Sequence, residues 1–281
     1  MILALQFCNG DLDASMRLAR LLTDLEPRYR SDVGLLLIYQ PDTIIDERVY
    51  STFSHCKTKF PCDLVKSQYG APGWANGSGQ LWRGAMTWCH DLWLGVQSQS
   101  YGGIEPRRHS SVFTFDGGDG IPLHNNWIDL MIAQHQITRQ SGRMVSGRLT
   151  LDVPAYPHIN GNMIIELVMW ALYPRLRDTP QEASAAEFWK CWDIYHAIET
   201  VPNSSPSTIV TNKWNSRGVS IAVMNSHAGS SIWLHGYKDE ELHDIARQRL
   251  LGRLEGLPTF PCIEKMGNFS LPFSDWAATL T

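Results

Sequence analysis

Asp116 and Asp119 stand three positions apart in Phe113-Thr114-Phe115-Asp116-Gly117-Gly118-Asp119-Gly120-Ile121-Pro122-Leu123. An apolar run carries two carboxylates to its tip, and the glycines let the backbone approach a ligand closely. Hard divalent cations take oxygen ligands. A cation held by one or two carboxylates keeps positions open for substrate phosphates. The competing reading is a tight turn, because Asp-Gly is a strong turn dipeptide. An EF-hand is excluded, since the third and fifth positions counted from Asp116 are both glycine.

Far downstream, Trp233-Leu234-His235-Gly236-Tyr237-Lys238-Asp239 supplies the complement. His235 offers a nitrogen ligand and Lys238 a partner for phosphate. Imidazole coordination suits manganese better than magnesium. His55, Cys56 and Cys62 suggest a metal knuckle, but no second Cys/His pair lies at zinc spacing, so ordinary buried thiols are the simpler reading. The phosphate loop, the dinucleotide fingerprint, the serine nucleophile elbow and the H-E-x-x-H helix are all absent, which weighs against those enzyme classes.

The elements that must position these residues alternate through the first half. Ile2 to Cys8 reads as a strand, followed by Asn9-Gly10-Asp11 and a helix whose apolar residues include Ala14, Leu18, Leu21 and Leu25. Val33 to Tyr39 is a second strand, Leu64-Val65 a weak third, Ser78 to Val96 a helix and Ser111 to Phe115 another strand. This order predicts an α/β fold with a mostly parallel, Rossmann-type sheet and flanking helices. Ligands of such sheets sit beyond the carboxyl ends of the strands, where Asp11 and the Asp116–Asp119 turn both fall.

The second half is less regular. Helices are expected over Leu123–Gln140, Glu187–Ile198 and Glu240–Leu254, with strands at Thr208–Thr211 and Ser231–Leu234. No internal repeat or linker-like composition break occurs, so a single domain is expected. Within it, residues 1–122 form a nucleotide-facing half, 123–255 an acceptor-side half and 256–281 a surface tail.

Composition narrows the class. Of 281 residues, 43% are hydrophobic and 19% charged, which excludes a disordered chain. The net charge of −4 gives no global basic field for nucleic acid or anionic membrane. The longest apolar run, Met163 to Tyr173, contains Glu166 and is too short to span a bilayer. Six scattered cysteines and an N-terminus without a basic signal region predict a cytoplasmic chain with reduced thiols.

Four segments, in order along nearly the whole chain, resemble the nucleotide-sugar-dependent glycosyltransferases of the GT-A fold, especially phage-type members that glycosylate modified DNA bases. Asn9-Gly10-Asp11 is similar to their nucleotide-facing loop, and Gly73-Trp74-Ala75-Asn76-Gly77-Ser78-Gly79-Gln80-Leu81-Trp82 to their G-W-P-x-G-x-N-x-L-[WF] segment. Phe115 to Leu123 resembles the strand-borne D-x-D, and His235 to Asp239 the C-terminal H-G-x-K-D. Pro157-His158-Ile159-Asn160-Gly161-Asn162 resembles the loop closing the acceptor side. Ala75 and Gly79 depart from the family pattern. The acidic pair is spaced at three instead of two, so Gly117 occupies the place of the first acid.

The resemblance implies donor contacts from Asn9, Gly10, Asp11, Trp74, Gly77, Asp116 and Lys238, and acceptor-side contacts from Tyr156, His158, Asn160 and Gly161. It implies a metal on Asp119 and His235, with Asp116 either joining it through water or holding the ribose. In inverting relatives the catalytic base lies at a helix start between the metal Asp and the terminal His. Asp193 fits that place, with Glu187 as second choice, and a solvated helix acid is the competing reading of Asp193.

Transfer to a hydroxyl acceptor follows, with hydroxymethylated pyrimidine in DNA as the acceptor that the phage-type members imply. Arg107-Arg108-His109, Arg139-Arg143-Arg148, Arg175-Arg177 and Arg247-Arg249-Arg253 form local basic groups able to track phosphates, or else ordinary solvated faces. Tyr156 is placed to stack on a flipped base. The alternatives are a saccharide or protein acceptor, or a nucleotide-sugar-binding module without turnover.

Overall fold

Every residue of β1 (Ile2–Phe7) is buried, as a strand covered on both faces by helices must be. The computed structural model describes residues 1–96, 103–151, 157–178, 191–207 and 209–252. After β1 come α1 (Leu12–Leu25), β2 (Gly34–Tyr39), α2 (Glu47–Cys56), β3 (Cys62–Lys66), α3 (Trp74–Leu94), β4 (Ser111–Asp116) and β5 (Gly120–Pro122). Then follow α4 (Trp127–Gln140), β6 (Val145–Gly147), β7 (Leu149–Thr150), β8 (His158–Ile159), β9 (Met163–Glu166), α5 (Val168–Leu172), α6 (Trp192–Tyr195) and α7 (Ala197–Thr200). The described part closes with β10 (Ser204–Pro206), β11 (Val210–Ser216), α8 (Ile221–Ala228), β12 (Trp233–Tyr237) and α9 (Leu242–Leu251).

The main sheet has the order β10-β6-β9-β4-β1-β2-β3. Pairing is parallel from β4 through β1 and β2 to β3, while β9 runs antiparallel between β4 and β6. The chain winds outward from β1 to β3 and then returns to the other side of β1 as β4. The carboxyl ends of β1 and β4 therefore flank a topological switch point, the place where open α/β sheets bind their ligands.

Alternation along β1 feeds two cores. Leu3, Leu5 and Phe7 pack with α1 residues such as Leu18 and Leu22. Ile2 and Ala4 pack with Trp82, Ala85, Met86 and Cys89 of α3. A smaller sheet, β11-β12-β5, rests on the first core, with β12 parallel to β11 and antiparallel to β5.

Several boundaries differ from the sequence expectation. The helix expected from Ser78 begins at Trp74, directly after Gly73 with φ of 81°. Its glycines act as packing surfaces: a β-carbon at Gly77 would come within 2.8 Å of the Ala71 carbonyl. The helix expected from Leu123 starts only at Trp127, because Leu123 N–H still pairs with Ile232 O across the small sheet. The expected Glu187–Ile198 helix is described as the separate turns α6 and α7, and residues 187–190 lie outside the described residues. The tail expected over 256–281 also lies outside them.

Candidate functional site

The acidic turn grows from β4, which ends at Asp116, and passes through Gly117 and Gly118 to β5. Antiparallel pairing sets Gly120 opposite His235, and Gly236 N–H donates to Asp119 O at 2.9 Å. Two residues 116 positions apart are thus fixed side by side through backbone register. His235 Nε2 lies 3.2 Å from Asp119 Oδ1, and Lys238 Nζ donates to Asp119 Oδ2. The Asp119 side chain is only 5% exposed, whereas that of Lys238 is 43% exposed and faces solvent.

The electrostatics follow from this crowding. Burial pushes Asp119 up, but the His235 and Lys238 cations outweigh it and hold the carboxyl well below its usual range. Burial lowers His235, and the adjoining Asp119 carboxylate more than reverses that, leaving it raised. Burial and the neighbouring Asp119 push Asp116 up to about 7. Asp11 is also raised, mainly by burial, although Cys8 N–H donates to its Oδ1 at 2.7 Å.

Asp119 and His235 fit a cation. His235 Nδ1 lies 3.1 Å from Asn212 Oδ1 on β11, which turns Nε2 toward Asp119. A second partner of this kind fixes the orientation of a metal-binding histidine. Among the described residues no three His, Cys, Asp or Glu side chains converge on one point. A cation held there would have two protein ligands and would need further oxygen ligands to complete its shell. Asn212 carried no signal in the sequence, since its role depends on the β11–β12 register.

The other expected donor residues lie at or near the ends of β1 and β2. Asp11 lies against Gly118, where a β-carbon would meet Asp11 Cβ at 3.4 Å. The Asn9 amide clips the loop after β2, donating to Asp42 O at 3.0 Å and accepting from Ile44 N–H at 2.9 Å. Asn9 itself remains exposed. Gly10 shares the single helical turn Asn9–Asp11. Gly77 lies in the first turn of α3 against Gln40, beyond the end of β2, and the Trp74 backbone opens that helix. The Trp74 side chain lies outside the described residues. His55, from the suspected knuckle, instead pairs with Asp24 at 2.8 Å, and Cys56 accepts from Thr23 Oγ1 at 3.3 Å.

On the acceptor side, Thr114 Oγ1 donates to Gly161 O at 3.0 Å, joining that turn to β4 two residues before Asp116. Asn160 Oδ1 accepts from Asn162 N–H at 3.0 Å, so Asn160 shapes the turn. His158 Nε2 lies 3.8 Å from Asp193 Oδ2. Trp192 packs on Gly161, where a β-carbon would come within 2.7 Å of its ring, and stacks on Trp82 at 4.3 Å between centroids. Tyr156 and Glu187 lie outside the described residues.

Within the basic groups, Arg249 departs from both expected readings. Arg249 is only 1% exposed, donating to Asn225 Oδ1 at 2.8 Å and Leu123 O at 2.6 Å. Burial holds His109 at about 3, so it is neutral. Arg108 pairs with Glu105, Arg175 with Glu199, Arg139 with Glu166 and Arg247 with Asp24. Arg177 donates twice to Trp170 O. Arg148 is exposed, and Arg253 lies outside the described residues. Sequence spacing had no means of separating the buried Arg249 from surface arginines.

No family model matches the chain, and no curated protein matches it in sequence. Among solved structures, the WbbM bifunctional glycosyltransferase in its apo form matches over 89% of this chain and 49% of its own, with a TM-score of 0.53 and 7% identity. The chain has the GT-A fold. It spans about half the length of that protein. The galactosyltransferase LgtC, solved with donor and acceptor sugar analogues, aligns over 92% of this chain and 98% of its own, at a TM-score of 0.48 and 10% identity. Mouse xyloside xylosyltransferase 1 aligns over 84% and 98%, at a TM-score of 0.43 and 11% identity. Among the described residues no helix is long and apolar enough to cross a membrane.

Proposed function

We propose that this GT-A chain transfers a glycosyl group from a nucleoside-diphosphate sugar to a hydroxyl, using a divalent cation on Asp119 and His235. The observation that carries this reading is the Asp119 carboxylate shared by His235 and Lys238 just beyond the carboxyl end of β4. A cation bound there supplies positive charge opposite the departing diphosphate. The mixed imidazole–carboxylate set favours manganese over magnesium. Lys238 is the solvent-facing cation of the group, able to leave Asp119 for a diphosphate oxygen. Asp116 faces the donor beside them, as a ribose or water partner.

In this reading Asp193 accepts the proton of the attacking hydroxyl. Asp193→Asn should lower transfer by roughly 10²–10⁴-fold with donor affinity nearly unchanged. For the acceptor we propose a hydroxymethylated pyrimidine of DNA, in the cytoplasm of a phage host. Its support is the resemblance to phage-type enzymes and exposed cations such as Arg148. A plain cytosine or thymine has no aliphatic hydroxyl to receive a sugar through oxygen.

The test is a mixed pool of nucleoside-diphosphate sugars offered with hydroxymethylated DNA, unmodified DNA, free saccharides and peptides, read by mass spectrometry. Release of nucleoside diphosphate with a mass increase on hydroxymethylated DNA is expected. A mass increase only on a saccharide or peptide removes the DNA acceptor and leaves the transferase. Donor binding without any diphosphate release makes the chain a binding module.

A further inference from the structure

Asp193 has one carboxylate oxygen already engaged. Its Oδ1 accepts from the Ile194 N–H at 3.0 Å, while Oδ2 faces His158 Nε2 at 3.8 Å. The two side chains differ in access: that of Asp193 is 20% exposed and that of His158 only 7%. The carboxylate is therefore the member able to meet a substrate, and the imidazole lies behind it.

Both residues sit on a braced platform. Trp192, next to Asp193, is stacked on the fully buried Trp82 and pressed against Gly161. Gly161 is in turn bonded to Thr114, on the strand that ends in Asp116. A side chain at 161 would displace Trp192 and with it the start of α6. The imidazole belongs to β8, so the carboxylate is held from one element and its partner from another. Catalytic hydrogen bonds are often long before substrate binds, and 3.8 Å is within a small rotation of contact.

We infer that His158 is a positioning residue for Asp193, aiming Oδ2 at the acceptor hydroxyl. This rests on the reading of Asp193 as the base under Proposed function. Misplacing a reacting group by about 1 Å costs on the order of 10²-fold in rate. An imidazole acting only through the carboxylate has nothing further to contribute once that carboxylate is gone.

The test is a double-mutant cycle in the full chain, with turnover and donor KM measured separately and folding followed by thermal unfolding. His158→Phe keeps the ring volume but removes the N–H, and should lower kcat by roughly 10–100-fold with donor KM unchanged. His158→Gln returns an N–H at the Nε2 position and should recover most of the rate. In the Asp193→Asn background, His158→Phe should cost nothing more. An equal loss from His158→Phe in both backgrounds, or a His158→Gln as impaired as His158→Phe, overturns the inference and leaves Asp193 as base. Undiminished transfer by Asp193→Asn overturns the base assignment itself, and the inference with it. If His158→Phe does not fold, His158→Ala takes its place in the cycle. A loss seen with Asp193 in place that vanishes in the Asp193→Asn background supports the pairing, and equal losses overturn it.

Discussion

Ser15 fills the space that a side chain at Gly117 would need. A β-carbon at 117 would lie 2.6 Å from Ser15 Cα, and closer still to its side chain. Helix α1 therefore excludes an acid from position 117, and the nearest carboxylate on that strand is Asp116. The three-residue spacing of the acidic pair is a packing consequence of α1 crossing close to the turn.

Gly117→Ala should consequently destabilise the fold by about 1–3 kcal/mol, the usual range for overpacking. Adding Ser15→Ala should not rescue it, because the Ser15 backbone is part of the contact. Urea unfolding of the single and double variants measures this. Full stability of Gly117→Ala would show that the helix moves aside freely.

Cation affinity should depend on pH through His235. Its raised protonation places a proton on Nε2 that a cation must displace. Manganese binding, followed by calorimetry, should therefore tighten as pH rises through and above the ordinary histidine range and should release a proton. Binding that is flat with pH and releases no proton would take His235 out of the ligand set.

Acid should destabilise the fold through buried neutral histidines. Burial holds His109 and His196 at about 3 and His243 at about 4, against an ordinary 6.5. The unfolded chain takes up these protons first, so the stability they contribute is full above 6.5. It is lost as pH falls toward the folded-state values of about 3 to 4. Each contributes a slope of roughly 1.4 kcal/mol per pH unit inside that window. The raised Asp116 acts in the opposite sense, so the comparison must be with a variant. His196→Phe should reduce the slope near pH 5 by about one proton's worth, and an unchanged slope would contradict the assignment.

Arg249→Leu leaves Asn225 Oδ1 and the buried Leu123 O without this donor, and an unpaired buried acceptor costs about 1–3 kcal/mol. The variant should lose stability in chemical denaturation and keep any salt dependence of DNA binding. Undiminished stability together with a shallower salt dependence would return Arg249 to the phosphate-tracking group.

Much of this architecture was legible because buried strands and amphipathic helices leave plain patterns. The apolar runs Ile2–Cys8 and Val33–Tyr39 and the helical spacing from Ala14 to Leu25 marked β1, β2 and α1 within a residue or two. Helix α2 was missed because only Val49, Thr52 and Cys56 are buried along its ten residues. Strand β9 was hidden inside an apolar run that continues into α5. At the site, Asp119 and His235 were legible as a pair through the motifs flanking them. Asn212, Ser15 and the approach of His158 to Asp193 were not, since each arises from register or packing between elements distant in sequence. Arg249 was misjudged for the same reason: its donors are taken by partners that only the fold brings near.

The measurement that bears most directly on the central claim is nucleoside-diphosphate release from a donor pool, with manganese and with excess chelator, by the parent chain and by Asp119→Asn. Release with manganese, abolished by chelator and absent in a folded Asp119→Asn, is the predicted result. Undiminished release in chelator, or by Asp119→Asn, would contradict a cation-assisted transfer centred on Asp119 and His235.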